Sequence, residues 1–104
     1  MRDFVELPGA SGATYRFRCW PEGDNHTPMA GNFAVLVFDG PSPTIVALGV
    51  TGNLSRARQL SQTPLAESSG ALFTRLNVSR TTRTEEHEDL LAGHPAAATI
   101  QDDV

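Results

Sequence analysis

Apolar and polar side chains alternate along residues 14–20. One face of this segment carries Tyr15, Phe17 and Cys19, and the other carries Arg16, Arg18 and Trp20. Such alternation is typical of a half-buried β-strand, because successive side chains point to opposite sides of a sheet. The apolar run 4–7 precedes it across the turn-rich connection 8–12, so the two runs predict an antiparallel hairpin. The polar stretch 21–28 that follows predicts a flexible loop.

Three further segments rich in apolar residues predict the strands of a core sheet. Runs 33–38 and 44–48 flank a five-residue loop, 39–43, that contains Gly40 and two prolines, which is typical of a second hairpin. Residues 71–78 predict a third core strand. In that strand we expect three apolar side chains to face the core and two polar side chains to face outward: respectively Leu72, Leu76 and Val78, and Arg75 and Asn77.

Polar residues that can cap helix N-termini predict two helices. Thr51 and Asn53 precede a segment expected to be helical from about Leu54 to Ser61, ending before Pro64. The residues Thr82-Arg83-Thr84-Glu85 match a capping box. The last helix is therefore expected to begin near Arg83 and to end at Gly93, since Pro95 forbids its continuation.

This order of elements predicts an α+β fold. We expect a small antiparallel β-sheet, with three core strands plus the N-terminal hairpin, packed with two or more α-helices. A chain of 104 residues forms one domain, 1–104. We divide it into the hairpin and loop 1–28, the core 29–95 and a loose C-terminal tail 96–104. Phe33, Leu48 and Leu72 are expected to share one core.

Composition narrows the class of protein. With 39% hydrophobic and 19% charged residues, the chain resembles ordinary globular proteins. It has no apolar run near the roughly 20 residues of a membrane span, and Met1-Arg2-Asp3 opens no signal peptide, so we expect a cytoplasmic protein without a membrane partner. Cys19 is the only cysteine, which excludes an intrachain disulfide, and we expect it to be a small core residue.

The charge distribution is uneven. A net charge of −4 argues against strong nonspecific DNA binding, which depends on cations that neutralise phosphates. However, five arginines and one acid lie between residues 44 and 83, whereas the remaining 21 residues hold six acids and no Lys or Arg. A locally basic face is therefore possible, and the candidate nucleic-acid contacts are Arg56, Arg58, Arg75, Arg80 and Arg83.

Three short motifs follow one another in a recognisable order: Gly31-Asn32-Phe33, then Ala47-Leu48-Gly49 with Asn53-Leu54, then the acidic helix 85–91 before Pro95. In these motifs and their spacing the chain resembles the GIY-YIG endonuclease superfamily, and in particular short bacterial GIY-YIG-like proteins with an extra N-terminal hairpin. The resemblance covers about two thirds of the chain.

The resemblance implies a site whose chemistry is degenerate. The family has two tyrosines, an arginine and a metal-binding glutamate, which together hydrolyse a phosphodiester. Phe33 and Ala47 stand at the two tyrosine positions, and Ala57 stands at the arginine position. The glutamate position falls on Glu86 or His87, depending on the alignment. The vestigial site would comprise Gly31, Phe33, Ala47, Gly49, Arg56, Arg58 and His87, with Glu86 as the candidate metal ligand.

Three hypotheses for function follow. The first is a catalytically impaired GIY-YIG-like domain that serves as a binding or regulatory module. Its partner would be weakly bound nucleic acid or a protein that docks on the acidic C-terminal helix. The second is an active endonuclease with an atypical site, in which Glu86 binds Mg²⁺ or Mn²⁺ and Arg56 or Arg58 contacts the phosphate. The third is a protein-interaction domain unrelated to nucleic acid. No cofactor is expected outside the nuclease hypothesis, and we expect no metal-dependent cleavage of DNA or RNA above background.

Overall fold

The computed structural model describes residues 3–102, which form a β-sheet with helices on both faces. Its strands are β1 (Phe4–Pro8), β2 (Thr14–Cys19), β3 (Gly31–Val37), β4 (Thr44–Thr51), β5 (Ala71–Leu76) and β6 (Ala98–Gln101). Its α-helices are α1 (Ala57–Leu60), α2 (Gln62–Ser68) and α3 (Arg80–Gly93), and a 3₁₀ turn (Leu54–Arg56) leads into α1. Within this range no helix is both long enough and apolar enough to cross a membrane.

The sheet has the strand order β1-β2-β5-β3-β4-β6. Neighbouring strands are antiparallel, except that β4 and β6 are parallel, which makes the sheet mixed. The predicted α+β class and both predicted hairpins are confirmed. Residues 96–104 were predicted to form a loose tail. This prediction is wrong for Ala98–Gln101, because this short segment pairs with β4. Residues 103–104 lie outside the described range.

Two hydrophobic cores lie on opposite faces of the sheet. On one face Leu90 of α3 packs with Phe17, Leu48 and Phe73. On the other face, which we call the α1 face because it carries Ala57 of α1, Phe33 and Leu72 pack with Trp20 and Leu54. The expectation that Phe33, Leu48 and Leu72 share one core is therefore wrong for Leu48. Ala34 pairs with Leu48 and Phe33 with Gly49, and adjacent positions of a strand face opposite sides.

From Arg75 onward, the buried and exposed side chains of the third core strand are the reverse of those predicted. Leu76 and Val78 are exposed, with 56% and 63% of their surface accessible, whereas Arg75 and Asn77 are half-buried and contact Glu86 of α3. The side chains at 73, 75 and 77 share the face that α3 covers. Polar side chains lie there because the first half of α3 supplies polar partners for them.

The last helix begins three residues earlier than predicted. Ser79 is its N-cap and accepts a hydrogen bond from the Thr82 backbone N–H at 3.3 Å, so the predicted capping box does not form the cap. The predicted end at Gly93 is confirmed.

The first helical region was predicted to end at Ser61, but α2 continues it to Ser68. Pro64 lies in the first turn of α2, where proline is tolerated because no intrahelical acceptor exists for that nitrogen.

The connection between β2 and β3 crosses β5, because β5 lies between those two strands in the sheet. Hydrogen bonds hold this connection, which we predicted as a flexible loop. His26 Nε2 lies 2.7 Å from Thr74 Oγ1, and the Trp20 indole N–H donates to the Asp24 carbonyl at 2.8 Å. Trp20 is buried beneath the connection, and its ring centroid lies 4.7 Å from that of His26.

Candidate nucleic-acid interface

At Phe33 and Ala47 the predicted vestigial site is a packed apolar core. Phe33 and Ala47 are buried together on the α1 face of the sheet. The Phe33 ring lies directly over Gly49, where a Cβ atom would overlap the ring. Gly31 is packed against the Arg75 carbonyl and the Leu54 side chain. None of these four residues presents a polar side-chain group to solvent.

The two arginines beside Ala57 make contacts within the protein. Arg56 forms an ion pair with Asp102, with 3.1 Å between Nη2 and Oδ1. Arg58 Nη2 donates to the Trp20 carbonyl at 2.5 Å, and its guanidinium carbon lies 4.7 Å from the centroid of the Trp20 ring. The Arg58 guanidinium therefore supports the fold on the α1 face, whereas the Arg56 side chain is more than half exposed in its ion pair.

Glu86 and His87 lie on α3, on the opposite face of the sheet from Phe33 and Ala47. The Glu86 carboxylate accepts hydrogen bonds from Arg75 Nε and Asn77 Nδ2, both at 2.8 Å. The structure therefore does not bring the predicted metal ligand together with Phe33, Ala47, Arg56 or Arg58. Among residues 3–102 no three His, Cys, Asp or Glu side chains are grouped so that they could hold a metal ion.

The five arginines predicted to bind nucleic acid are spread over both faces of the sheet. Arg75 is paired with Glu86. Arg83 is buried, and its Nη1 donates to the Val78 carbonyl at 2.8 Å. Asn32, also buried, donates to the Arg83 carbonyl and accepts from Asn77, so these residues form one polar network between β3, β5 and α3. Arg80 is exposed at the start of α3.

His87 is a buried histidine with 1% of its surface exposed. Its Nε2 lies 3.0 Å from Thr99 Oγ1, which links α3 to β6. Burial away from water lowers the pKa of the His87 imidazole below its ordinary value of 6.5, because the charged form loses its hydration. The folded protein therefore holds His87 in its neutral form.

We expect the protein to lose stability as the pH falls below about 6.5. The unfolded chain protonates this imidazole at a higher pH than the folded chain does, so each step toward acid favours the unfolded chain until the lower, folded-state pKa is passed. Denaturation in urea at about pH 8 and about pH 5 measures the difference. His87→Gln, which keeps a polar group near Thr99 and does not titrate, should show a smaller acid loss. An equal loss of stability in the variant would show that His87 is not the source of the acid sensitivity.

The β1–β2 turn is attached to α3 through Asp89. Its carboxylate accepts hydrogen bonds from the Tyr15 hydroxyl at 2.6 Å and from the Ser11 hydroxyl at 2.7 Å. These bonds lower the pKa of Asp89, because they favour the ionised carboxylate, and the hydrogen bond to Asp89 raises the pKa of Tyr15. Asp89 therefore has a structural role at this end of the sheet.

Cys19 lies at the end of β2 and is half-buried against the α3-side core. Burial raises the pKa of its thiol, so the side chain stays protonated. This placement agrees with its predicted role as a small core residue.

One part of the sheet has no helix above it. On β1, β2 and β5, side chains that point away from α3 form an exposed surface, which we call the open face: Phe4, Arg16, Arg18 and Leu76. The Phe4 ring is 49% exposed. The guanidinium carbons of Arg16 and Arg18 lie 5.3 and 5.9 Å from its centroid. The open face therefore combines an accessible aromatic ring with two cations.

A groove of about 330 Å³ runs along the open face. The open-face residues form one side of it, and His26 and Thr27 of the β2–β3 connection form the other. Arg16 forms an ion pair with Glu6 at 3.6 Å, and both of these side chains are more than half exposed. Solvent weakens such a pair, so the Arg16 guanidinium is available to a ligand.

The open face is not among the sites predicted from the sequence, although part of its signal is present there. Alternation placed Arg16 and Arg18 together on the polar face of the hairpin. The role of Phe4 depended on which strands the helices cover, and the chain order of the elements does not reveal this.

Comparison of the chain with protein-family models, with curated proteins and with solved structures finds no match.

Proposed function

We propose that this protein is a binding module for single-stranded nucleic acid and that it binds through the open face. The observation that carries the proposal is the exposed Phe4 ring with the Arg16 and Arg18 guanidinium groups within 6 Å of it, on a sheet surface that no helix covers. Proteins that bind single strands combine aromatic rings, on which bases stack, with cations that follow the backbone.

The spacing of these groups suits an extended strand. Arg16 and Arg18 are two residues apart on one face of β2, so their Cα atoms are about 6.5 Å apart, comparable to the separation of successive phosphates in an extended single strand. Phe4 lies opposite Arg18 in the β1–β2 pairing. A base stacked on Phe4 would therefore place its phosphates near the two guanidinium groups.

The arrangement favours binding over hydrolysis. Phe33 and Ala47 are packed in one core, and Glu86 is held by Arg75 and Asn77 beyond the opposite face of the sheet. The relation to the GIY-YIG superfamily stays a proposal that rests on the order and spacing of the sequence motifs.

The acidic segment of α3 offers less to a protein partner than its sequence suggested. Two of its four carboxylates, those of Glu86 and Asp89, accept hydrogen bonds from the sheet and from the β1–β2 turn. Only Glu85 and Glu88 remain as exposed acids of this segment. A net charge of −4 means that the proposed nucleic-acid binding is weak and sensitive to salt.

The proposal predicts that replacing both Arg16 and Arg18 with alanine lowers the affinity for single-stranded DNA at least about tenfold at low salt. Fluorescence anisotropy with a labelled oligonucleotide of about 10 nucleotides measures the affinity, and a salt titration measures the number of phosphate contacts. The double variant should flatten the salt dependence. Phe4→Ala should weaken binding about fivefold or more while leaving the salt dependence unchanged, because it removes only stacking.

Arg80→Ala is the matched control, since it removes an exposed arginine at the start of α3, the helix that packs on the opposite face of the sheet. It should change the affinity less than twofold, whereas each open-face variant should change it more. If Arg80→Ala weakens binding as much as an open-face substitution, the binding is nonspecific attraction to charge. If the unaltered protein does not bind the oligonucleotide at low salt, the proposed function is wrong.

A further inference from the structure

A second concavity adjoins the groove of the open face. It has a volume of about 340 Å³, within the range of small-ligand pockets, and lies beneath the β2–β3 connection. We call it the loop pocket and define it by the residues that form its polar walls: Asp3, Arg18, Asp24, Asn25, His26 and Thr27. The loop pocket and the groove share Arg18, His26, Thr27 and Thr74, so a ligand can occupy both at once.

The side chains of Asp24 and Asn25 are available to such a ligand. Within the described range 3–102, neither side chain has a hydrogen bond or an ion pair to another residue. The Asp24 backbone carbonyl accepts from the Trp20 indole N–H at 2.8 Å, and this bond fixes the position of the residue while its carboxylate remains unused. His26 is held between Thr27 and Thr74, so the wall between the loop pocket and the groove is also fixed.

We infer that the loop pocket binds one base of the single strand and prefers guanine, an inference that rests on the proposed function of the open face. An ionised carboxylate is an acceptor only, so it is best matched by two adjacent N–H donors. Among the four DNA bases, guanine presents this pair on its pairing edge, at N1 and N2. Thymine presents a single N–H between two carbonyl oxygens, which the Asp24 carboxylate would repel.

The shared residue Arg18 connects the two parts of the site. Arg18 lines both the loop pocket and the groove, so it can contact the phosphate of a nucleotide whose guanine lies against Asp24. The next base then reaches Phe4 across the β1–β2 pair. The open face supplies affinity for any sequence, and the loop pocket supplies selectivity for a base.

The test compares three labelled oligonucleotides of about 10 nucleotides: all thymidine, the same strand with one central guanosine, and the same strand with inosine in place of that guanosine. The unaltered protein should bind the guanosine strand about fivefold or more tightly than the thymidine strand, which is the lower end of the discrimination expected of a bidentate contact. Inosine lacks the N2 amino group, so most of that preference should disappear.

Asp24→Asn removes the charged double acceptor and keeps the backbone carbonyl that holds Trp20. It should abolish the guanosine preference without weakening thymidine binding, because thymine gains nothing from the Asp24 carboxylate. Glu22→Gln is the matched control, because it removes one negative charge from the same connection at a residue that does not line the loop pocket. This control should keep the guanosine preference. Such a result would show that the loss of preference in Asp24→Asn does not come from net charge alone.

The outcomes separate this inference from the proposed function. Equal affinity of the unaltered protein for the guanosine and thymidine strands would overturn the inference while leaving the proposed function standing. Retention of the preference by Asp24→Asn would likewise overturn it. Binding to none of the three strands would overturn both.

Discussion

Replacing Phe33 with alanine is expected to lower the free energy of unfolding by about 3–5 kcal/mol, the usual cost of deleting a buried aromatic ring. Phe33 is 1% exposed and fills the space above Gly49 between β3, β4 and the helices on the α1 face. The vacated volume is bounded by β-strand backbone on one side, so the core has little room to collapse into it. Urea denaturation followed by the fluorescence of Trp20, the only tryptophan, measures the loss.

Gly49→Ala tests the same contact from the other side. A methyl group at this position overlaps the Phe33 ring, so the substitution alone should cost about 1–3 kcal/mol. Combined with Phe33→Leu, which removes the far end of the ring, the same substitution should cost measurably less, and a double-mutant cycle gives the coupling. A loss below about 1 kcal/mol for Phe33→Ala would contradict the buried position of the ring.

Glu86→Ala is expected to lower the free energy of unfolding by about 1–3 kcal/mol, because Arg75 and Asn77 then lose a hydrogen-bond acceptor in a half-buried site. Glu86→Gln should be milder, since its amide oxygen still accepts one of these bonds. Glu85→Ala removes an exposed carboxylate from the preceding position and should cost less than about 0.5 kcal/mol. Chemical denaturation measures the free energy of unfolding of each of the three variants and so gives their order.

The same variants test the hypothesis, drawn from the sequence, that Glu86 binds a metal ion. A carboxylate already bound to Arg75 and Asn77 is a poor ligand for Mg²⁺, an ion that dehydrates reluctantly and requires octahedral geometry. Thermal unfolding with and without Mg²⁺ or Mn²⁺ should give the same midpoint for the unaltered protein. Micromolar binding of either ion that disappears in Glu86→Ala would contradict this expectation and support the nuclease hypothesis.

The sequence predicted elements that are defined by local patterns. The alternation at residues 14–20 and the turn residues at 39–43 were sufficient for both hairpins, because a hairpin requires only neighbouring segments and a turn. Gly93 and Pro95 likewise defined the end of α3. Such signals depend on backbone geometry that a few residues determine by themselves.

Tertiary pairing determined the features that the sequence did not predict. Strand β6 is only four residues long, and its stability comes from β4. The exposure of Leu76 depends on which face of β5 lies under α3. The residues of the predicted site do not lie together for the same reason, because Ala47 and His87 are on opposite faces of one sheet, and motif spacing contains no information about faces. The fixed position of Asp24 also depends on a long connection that crosses β5.

The position of β5 has a consequence for how the chain is made. As the protein leaves the ribosome, both hairpins are complete before residues 71–76 emerge, yet these residues must enter between β2 and β3. Until then each hairpin exposes a strand edge whose backbone groups can pair with other chains, and closing the sheet requires slow, long-range contacts. Nascent chains and truncations that end before Ala71 therefore leave the edges of β2, β3 and β4 unpaired, which makes them the forms of this protein most prone to aggregate.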